Sequence, residues 1–143
     1  MKKHKPTVES LEHRYALTVA ATVDDGDLII TGDATAAVEI TAVDADTYEV
    51  REGGELVSTV DGVIDDIRIK IDATGEANDQ VTLDLNGQTV DKVMVDLGDG
   101  DNDFTVQGGT LGSLQYSGGD GDDVLTIADD ASVQASVLAR LGN

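Results

Sequence analysis

The sequence predicts an all-β protein, a short right-handed parallel β-solenoid of the β-helix or β-roll kind. It would have about 21 to 26 residues per coil and a β-hairpin or cap at its N-terminal end. Three observations lead there. Apolar residues alternate from residue 64 onward, with the period of two that strands buried on one face require. The alternating blocks return at a nearly constant interval. Between them sits, each time, a turn of Gly and Asp. A chain that climbs and stacks like residues on like shows this kind of repeat.

Residues 1–23 form a basic leader, with Lys2, Lys3, Lys5 and Arg14 against Glu9 and Glu12, ending in a short apolar tail from Ala16. No stretch approaches the eighteen or so apolar residues that a membrane span requires. An unstructured leader and an ordinary N-terminal strand both remain open for this segment. Residues 24–63 form an N-terminal β segment. Leu28-Ile29-Ile30-Thr31-Gly32-Asp33 followed by Val38-Glu39-Ile40 reads as a weak first coil, and residues 48–51 and 56–60 around Gly53-Gly54 read as a hairpin. Such an excursion would cover the open end of a stack, which otherwise exposes unpaired strand edges.

Residues 64–143 carry the repeats. Ile67, Ile69 and Ile71 are followed at 26 residues by Val93, Val95 and Leu97, at 21 by Leu114 and Tyr116, and at 21 again by Ala135 and Val137. A second column runs Val81 and Leu83, then Phe104 and Val106, then Leu125 and Ile127; a third, shorter one is Val90, Leu111, Val133. One coil is thus strand, acidic turn, strand, second turn and short strand. An antiparallel sandwich would also use Gly/Asp turns, but it does not require apolar and turn positions to share one interval. Residues 139–143 fall where the next acidic turn is expected. The repeats therefore read as truncated there, either as a fragment of a longer repeat protein or as an end covered by a second copy through end-to-end homo-association.

The formal charge of the 143-residue chain is −20, and 22 of its 29 acids are Asp, a residue that favours turns and makes a compact oxygen ligand. Beyond the leader, 27 acids face five bases. Nucleic acid and anionic membrane surfaces are poor partners for such a body, whereas cations and basic surfaces are natural ones. General acidity for solubility is the alternative account, but it predicts no periodic placement. With no Cys, the chain is compatible with export but is not a disulfide scaffold.

The turns carry the chemistry. Gly118-Gly119-Asp120-Gly121-Asp122-Asp123-Val124-Leu125-Thr126 resembles the calcium-binding nonapeptide G-G-x-G-x-D-x-U-x of RTX-type repeat proteins at every specified place. Residues 97–105 repeat it with Leu97 for the first Gly and Asn102 for the ligand Asp, and residues 74–82 give a fainter copy ending on Asp79. The resemblance implies an ion held between two stacked turns. Its ligand places fall on Asp79, Asn102 and Asp123, with Asp99, Asp101, Asp103, Asp120 and Asp122 nearby. The best pair of turns is 98–103 with 119–123. Each coil keeps only one nonapeptide and Asn102 is neutral, so the affinity expected is on the order of 10⁻⁴–10⁻³ M. Plain solvated turns without calcium are the alternative. An EF-hand starting at Asp99 fails, because Phe104 takes the obligatory Gly place and Thr110 the bidentate Glu place.

Near the N-terminus, Leu11-Glu12-His13-Arg14-Tyr15-Ala16-Leu17 resembles the L-E-x-R-x-L signature of planctomycete-type exported proteins, with Ala16 where Leu is usual. The resemblance implies an extracellular or cell-surface location. Catalysis is not expected. The only histidines, His4 and His13, lie in the leader, which removes Ser-His, Cys-His and ordinary zinc arrangements from the body. The basic residues Arg51, Arg68, Lys70, Lys92 and Arg140 all lie outside the Gly/Asp turns. The function expected is therefore a secreted or cell-surface structural module with calcium-binding turns. Two alternatives are a module that binds surface polysaccharide or another surface protein through Thr31, Thr82, Thr105 and Thr126, and a non-functional fragment of a longer repeat protein.

Overall fold

The computed structural model describes residues 18–63, 65–71 and 78–142. Its elements are all strands: β1 (Val19–Asp24), β2 (Asp27–Gly32), β3 (Val38–Ala42), β4 (Tyr48–Glu52), β5 (Glu55–Val60) and β6 (Ile67–Ile71). They continue with β7 (Gln80–Asp84), β8 (Thr89–Asp96), β9 (Asp103–Gln107), β10 (Thr110–Ser117), β11 (Val124–Ile127) and β12 (Ser132–Arg140). They form two six-stranded mixed sheets, ordered β1-β2-β6-β8-β10-β12 and β11-β9-β7-β3-β4-β5, and neither closes into a barrel. From β6 onward the chain alternates between the sheets. Each strand lies parallel to the one two places earlier.

Register carries the expected columns into space. In the first sheet Ile67, Val93, Leu114 and Val137 stand in one row, and Ile69, Val95, Tyr116 and Ala139 in the next. In the second, Val38, Val81, Phe104 and Leu125 form a row beside Ile40, Leu83, Val106 and Ile127. Most of these side chains are fully buried between the sheets, and the Phe104 and Tyr116 rings stack across the gap at 5.9 Å. The segment read as a weak first coil joins both sheets: Leu28 pairs with Ile67 and Val38 with Val81, both in parallel strands.

Two details differ from the expected repeat. The short third column is not a separate strand, because β8 runs through both Val90 and Val93, and β10 through both Leu111 and Leu114. The last step of the first column is 23 residues, not 21: Leu114 faces Val137 and Tyr116 faces Ala139. The cause is a shift between Leu111, opposite Val133, and Ser113, opposite Ser136, so that Gly112 faces two residues. A bulge of this kind takes up extra chain without moving the apolar rows off the core face.

The N-terminal end is antiparallel. β1 returns on β2 through Asp25-Gly26, and β4 on β5 through Gly53-Gly54, each turn with both central residues at positive φ, as two-residue hairpins with the right twist require. The hairpin expected at 48–60 is thus present, and β1 and β5 touch across the end of the two sheets. Pairing begins at Val19, inside the segment read as leader. The export-type motif at 11–17, like residues 74–77 of the faint nonapeptide, lies outside the described residues.

Glu52 fastens this end. It is buried at 3% exposure and accepts hydrogen bonds from the Thr18 N–H (2.8 Å) and hydroxyl (2.7 Å), the Val19 N–H (3.2 Å), and the Thr35 N–H (2.9 Å) and hydroxyl (3.2 Å). A buried carboxylate is tolerated only when satisfied in this way. At the other end Val124, Ile127, Val137 and Leu141 are exposed.

Phe104→Ala is expected to lower stability by about 3–5 kcal/mol, because it empties the middle of the inter-sheet stack. Thr82→Ala, on the outer face, should stay within about 0.5 kcal/mol of the parent. Equilibrium urea denaturation of the two variants checks the contrast.

Candidate functional site

The Gly/Asp turns connect the first sheet to the second at one side of the molecule, and they stack. Residues 97–102 join β8 to β9, residues 118–123 join β10 to β11, and Gly142 follows β12 at the next level. Gly is required at Gly121 and Gly142, both at positive φ. A Cβ on Gly121 would collide with the Gly100 carbonyl below it, and one on Gly142 with the Gly119 carbonyl. Backbones can approach this closely only where there is no side chain.

Side chains of one turn accept the backbone N–H groups of a neighbouring one. Asp99 Oδ1 accepts from Asp120 N (2.9 Å), Asp101 Oδ1 from Asp122 N (2.8 Å), and Asn78 Oδ1 from Asp101 N (2.8 Å). The Asp carboxylates thus act first as acceptors along the stack. Their outward positions also relieve the crowding: Asp99, Asp101, Asp120 and Asp122 are all exposed. Asp103 stands apart from the turns, as the first residue of β9 paired with Gln80 and Val124.

Asp79, Asn102 and Asp123 form the expected inner column, at 4% and 1% exposure for the first two. Asn102 Oδ1 accepts from Asp79 N (2.9 Å), and Asp123 Oδ1 accepts from Asn102 N (3.0 Å). The second side-chain atom makes the difference. Asn102 Nδ2 donates to three carbonyls: Gly98 (2.9 Å), Gly100 (3.2 Å) and Gly118 (3.1 Å). A donor therefore sits between turns 98–103 and 119–123 where the resemblance places an ion. This level is satisfied without a cation, and its residues do not fit one.

One level up, Asp123 occupies the place of Asn102, but with an oxygen in the place of the NH₂. Its Oδ2 is enclosed and has no hydrogen-bond partner. The point where a Gly142 Cβ would stand is close to the Gly119 carbonyl, 3.0 Å from the Gly121 carbonyl and 3.2 Å from Asp123 Oδ2. Gly119 and Gly121 correspond to Gly98 and Gly100 of the level below. Oxygens thus converge where the lower level has an amide to bridge them. Burial pushes the Asp123 carboxyl above its ordinary value, hydrogen bonds from Asn102 pull it back, and the nearby charges of Asp101 and Asp122 push it up again.

Two interior polar groups escape the turn pattern. The Tyr116 hydroxyl is enclosed without a partner at 2% residue exposure, and its pKa is raised by burial first and then by the charges of Asp123, Asp103 and Asp79. Glu52 is the other. Strand alternation is the signal for both, since Glu52 follows Tyr48 and Val50 at the inward places of β4, and Tyr116 follows Leu114 in β10.

The threonines divide between sheets. Thr82, Thr105 and Thr126 stand in one row across β7, β9 and β11, whereas Thr31 lies in β2 on the other sheet. Among the described residues no group of three or more His, Cys, Asp or Glu side chains is placed to hold a metal, and no helix is long and apolar enough to cross a membrane. No protein-family model, curated protein or solved structure matches the chain.

Glu52 gives a pH dependence of defined sign. Burial pushes its carboxyl up, but the hydrogen bonds from Thr35, Thr18 and Val19 pull it further down, leaving it below its ordinary value of 4.5. The stabilisation is therefore complete above pH 4.5 and is lost as pH falls through the lowered value. Glu52→Gln is expected to cost about 1.5–3 kcal/mol at neutral pH and to flatten the acid limb, measured as urea midpoints across that range.

Proposed function

We propose that this chain is a structural repeat module, secreted or held at the cell surface. In this reading its two sheets are the walls of a short parallel β-solenoid whose Asp123 turn takes up calcium. The observation that carries the reading is the contrast between two equivalent levels. Asn102 bridges its carbonyls with an NH₂ group, while the matching carbonyls of Gly119 and Gly121 and the unpartnered Asp123 Oδ2 all lie around the position where a Gly142 Cβ would stand. Oxygens converging on one point repel unless a proton or a cation stands among them. Calcium fits the donor set, being a hard cation that takes carboxylate, carbonyl and water oxygens together.

The ligands in this reading are Asp123 Oδ2 and the carbonyls of Gly119 and Gly121, reached once the Gly142 segment shifts to admit the ion and the waters that complete its shell. The other acids of the turns, Asp99, Asp101, Asp120 and Asp122, contribute field and not coordination. The ion's positive charge would replace the missing amide and tie the Gly142 level to the one below. A folded state that binds an ion the unfolded chain does not bind is stabilised in proportion to occupancy, so calcium outside the cell would couple to folding. The strongly acidic body and the export-type resemblance at 11–17 support that location.

Thermal and urea unfolding with and without calcium tests the proposal. The parent is expected to gain stability with a half-effect on the order of 10⁻⁴–10⁻³ M calcium. Asp123→Asn, which copies Asn102, should be about 1–3 kcal/mol more stable than the parent in chelator and should no longer respond to calcium. An unresponsive parent, or an equal calcium response in Asp123→Asn, would sink the proposal. The sign of the pH effect is a second check. In chelator the parent should lose stability as pH rises from the ordinary carboxylate value of 3.8 through the raised one, and Asp123→Asn should not.

A further inference from the structure

Beyond residue 23 the chain has five Lys or Arg residues, and four of them, Arg68, Lys70, Lys92 and Arg140, stand on the outer face of the first sheet. Their spacing in the sequence does not reveal this. Register does it, placing Lys70, Asp96, Ser117 and Arg140 in one row across β6, β8, β10 and β12, and Arg68, Met94, Gln115 and Leu138 in the next. These two rows line a groove of about 370 Å³, within the range of pockets that hold small ligands.

The groove's charge is opposite to that of the body. Arg68, Lys70 and Arg140 face one acid, Asp96, inside it, whereas the body as a whole has 27 acids against five bases. Arg68 is tied to Asp27 at 3.3 Å, but Lys70 and Arg140 make no ion pair among the described residues. With so many carboxylates available, cations at both ends of one row with no ion pair among the described residues mark a surface suited to an anion from outside. Three strand spacings separate Lys70 from Arg140, about 14 Å.

The surface between the cations narrows the class of ligand. Gln115 and Ser117 offer hydrogen bonds, and Met94 and Leu138 offer flat apolar contact. The backbones of β6, β8 and β10 are paired on both sides, so an extended peptide lying across the groove would find free main-chain groups only along the edge strand β12. A second copy of this chain would bring its own charge of −20 against the first. We infer that the groove binds a short run of an acidic polysaccharide: Arg68, Lys70 and Arg140 take sugar carboxylates, Gln115 and Ser117 take hydroxyls, and Met94 and Leu138 pack on ring C–H faces.

The test uses oligogalacturonate as probe, in chelator, so that calcium cannot bridge the sugar to the acidic turns. Titration calorimetry at low salt is expected to show binding that weakens as salt is raised. Neutral malto-oligosaccharide should bind far more weakly. Amide shifts in the nuclear magnetic resonance spectrum should cluster at residues 68–70, 94–96, 115–117 and 138–140. The double variant Lys70→Gln/Arg140→Gln, checked for folding by circular dichroism, should lose about tenfold or more in affinity. Four outcomes would overturn the inference: no binding at low salt, unchanged affinity in a folded double variant, shifts confined to the turns at 98–103 and 119–123, or equal binding of poly-glutamate, which would make the groove an acidic-peptide site.

Discussion

Everything in this molecule depends on each pass of the chain returning to its sheet in register with the pass before. A parallel pair that slips by one residue turns every inward side chain outward, and here the inward set is almost the whole core: Ile67, Val93 and Leu114 in one row, Val81 and Phe104 in another. The turns therefore have two tasks. They reverse the chain between sheets, and they fix how far it travels before the next strand starts. Glycine at the levels of Gly100 and Gly121 lets successive turns approach closely, and the Asp99–Asp120 and Asp101–Asp122 contacts hold one turn over the next at fixed height.

That solution brings carboxylates together in a chain already at −20, and the way the charge is handled explains the inner column. Outside, Asp99, Asp101, Asp120 and Asp122 keep solvent access, so their repulsion is weak and screened. Inside, a charge would be far more costly, and Asn102 avoids it. Its oxygen accepts a backbone N–H on one side and its NH₂ donates to three carbonyls on the other. Those partners fix the orientation of the amide, since a flipped side chain would face donor to donor and acceptor to acceptor. A single exchange of acid for amide thus separates a level with an unpartnered oxygen at Asp123 from a self-sufficient one at Asn102.

Much of this was legible in the sequence, because period-two alternation and glycine turns leave direct marks. The columns at Ile67, Val93 and Leu114 and at Val81, Phe104 and Leu125 hold, and so does the hairpin around Gly53-Gly54. The last step of the first column does not, because a bulge opposite Gly112 adds chain that no local pattern announces. The role of Asn102 was also hidden. A ligand pattern records that a side chain carries oxygen, not which of its atoms faces the neighbouring carbonyls. Glu52 shows the same limit: an acid at an inward strand position reads as a flaw until Thr18 and Thr35 arrive to satisfy it. The cationic row was least visible, since Lys70 and Arg140 meet only through three successive strand pairings.

The two faces of the first sheet show how one constraint serves two ends. Because register is held for the sake of the core, the outward residues of the same strands are aligned as well: Lys70 with Asp96, Ser117 and Arg140. An outward row is thus ordered without contributing to the interior, and substitution there carries little stability cost. A rigid surface with side chains at a fixed strand spacing holds its groups in place before a ligand arrives, which lowers the ordering cost of binding. The stacked turns rigidify that surface from the side. Whatever strengthens the turn at Asp123 therefore also steadies β12, whose Arg140 ends the cationic row and whose carbonyl accepts from Gly118 N at 2.9 Å. Through that bond the Asp123 turn and the outer groove share one strand.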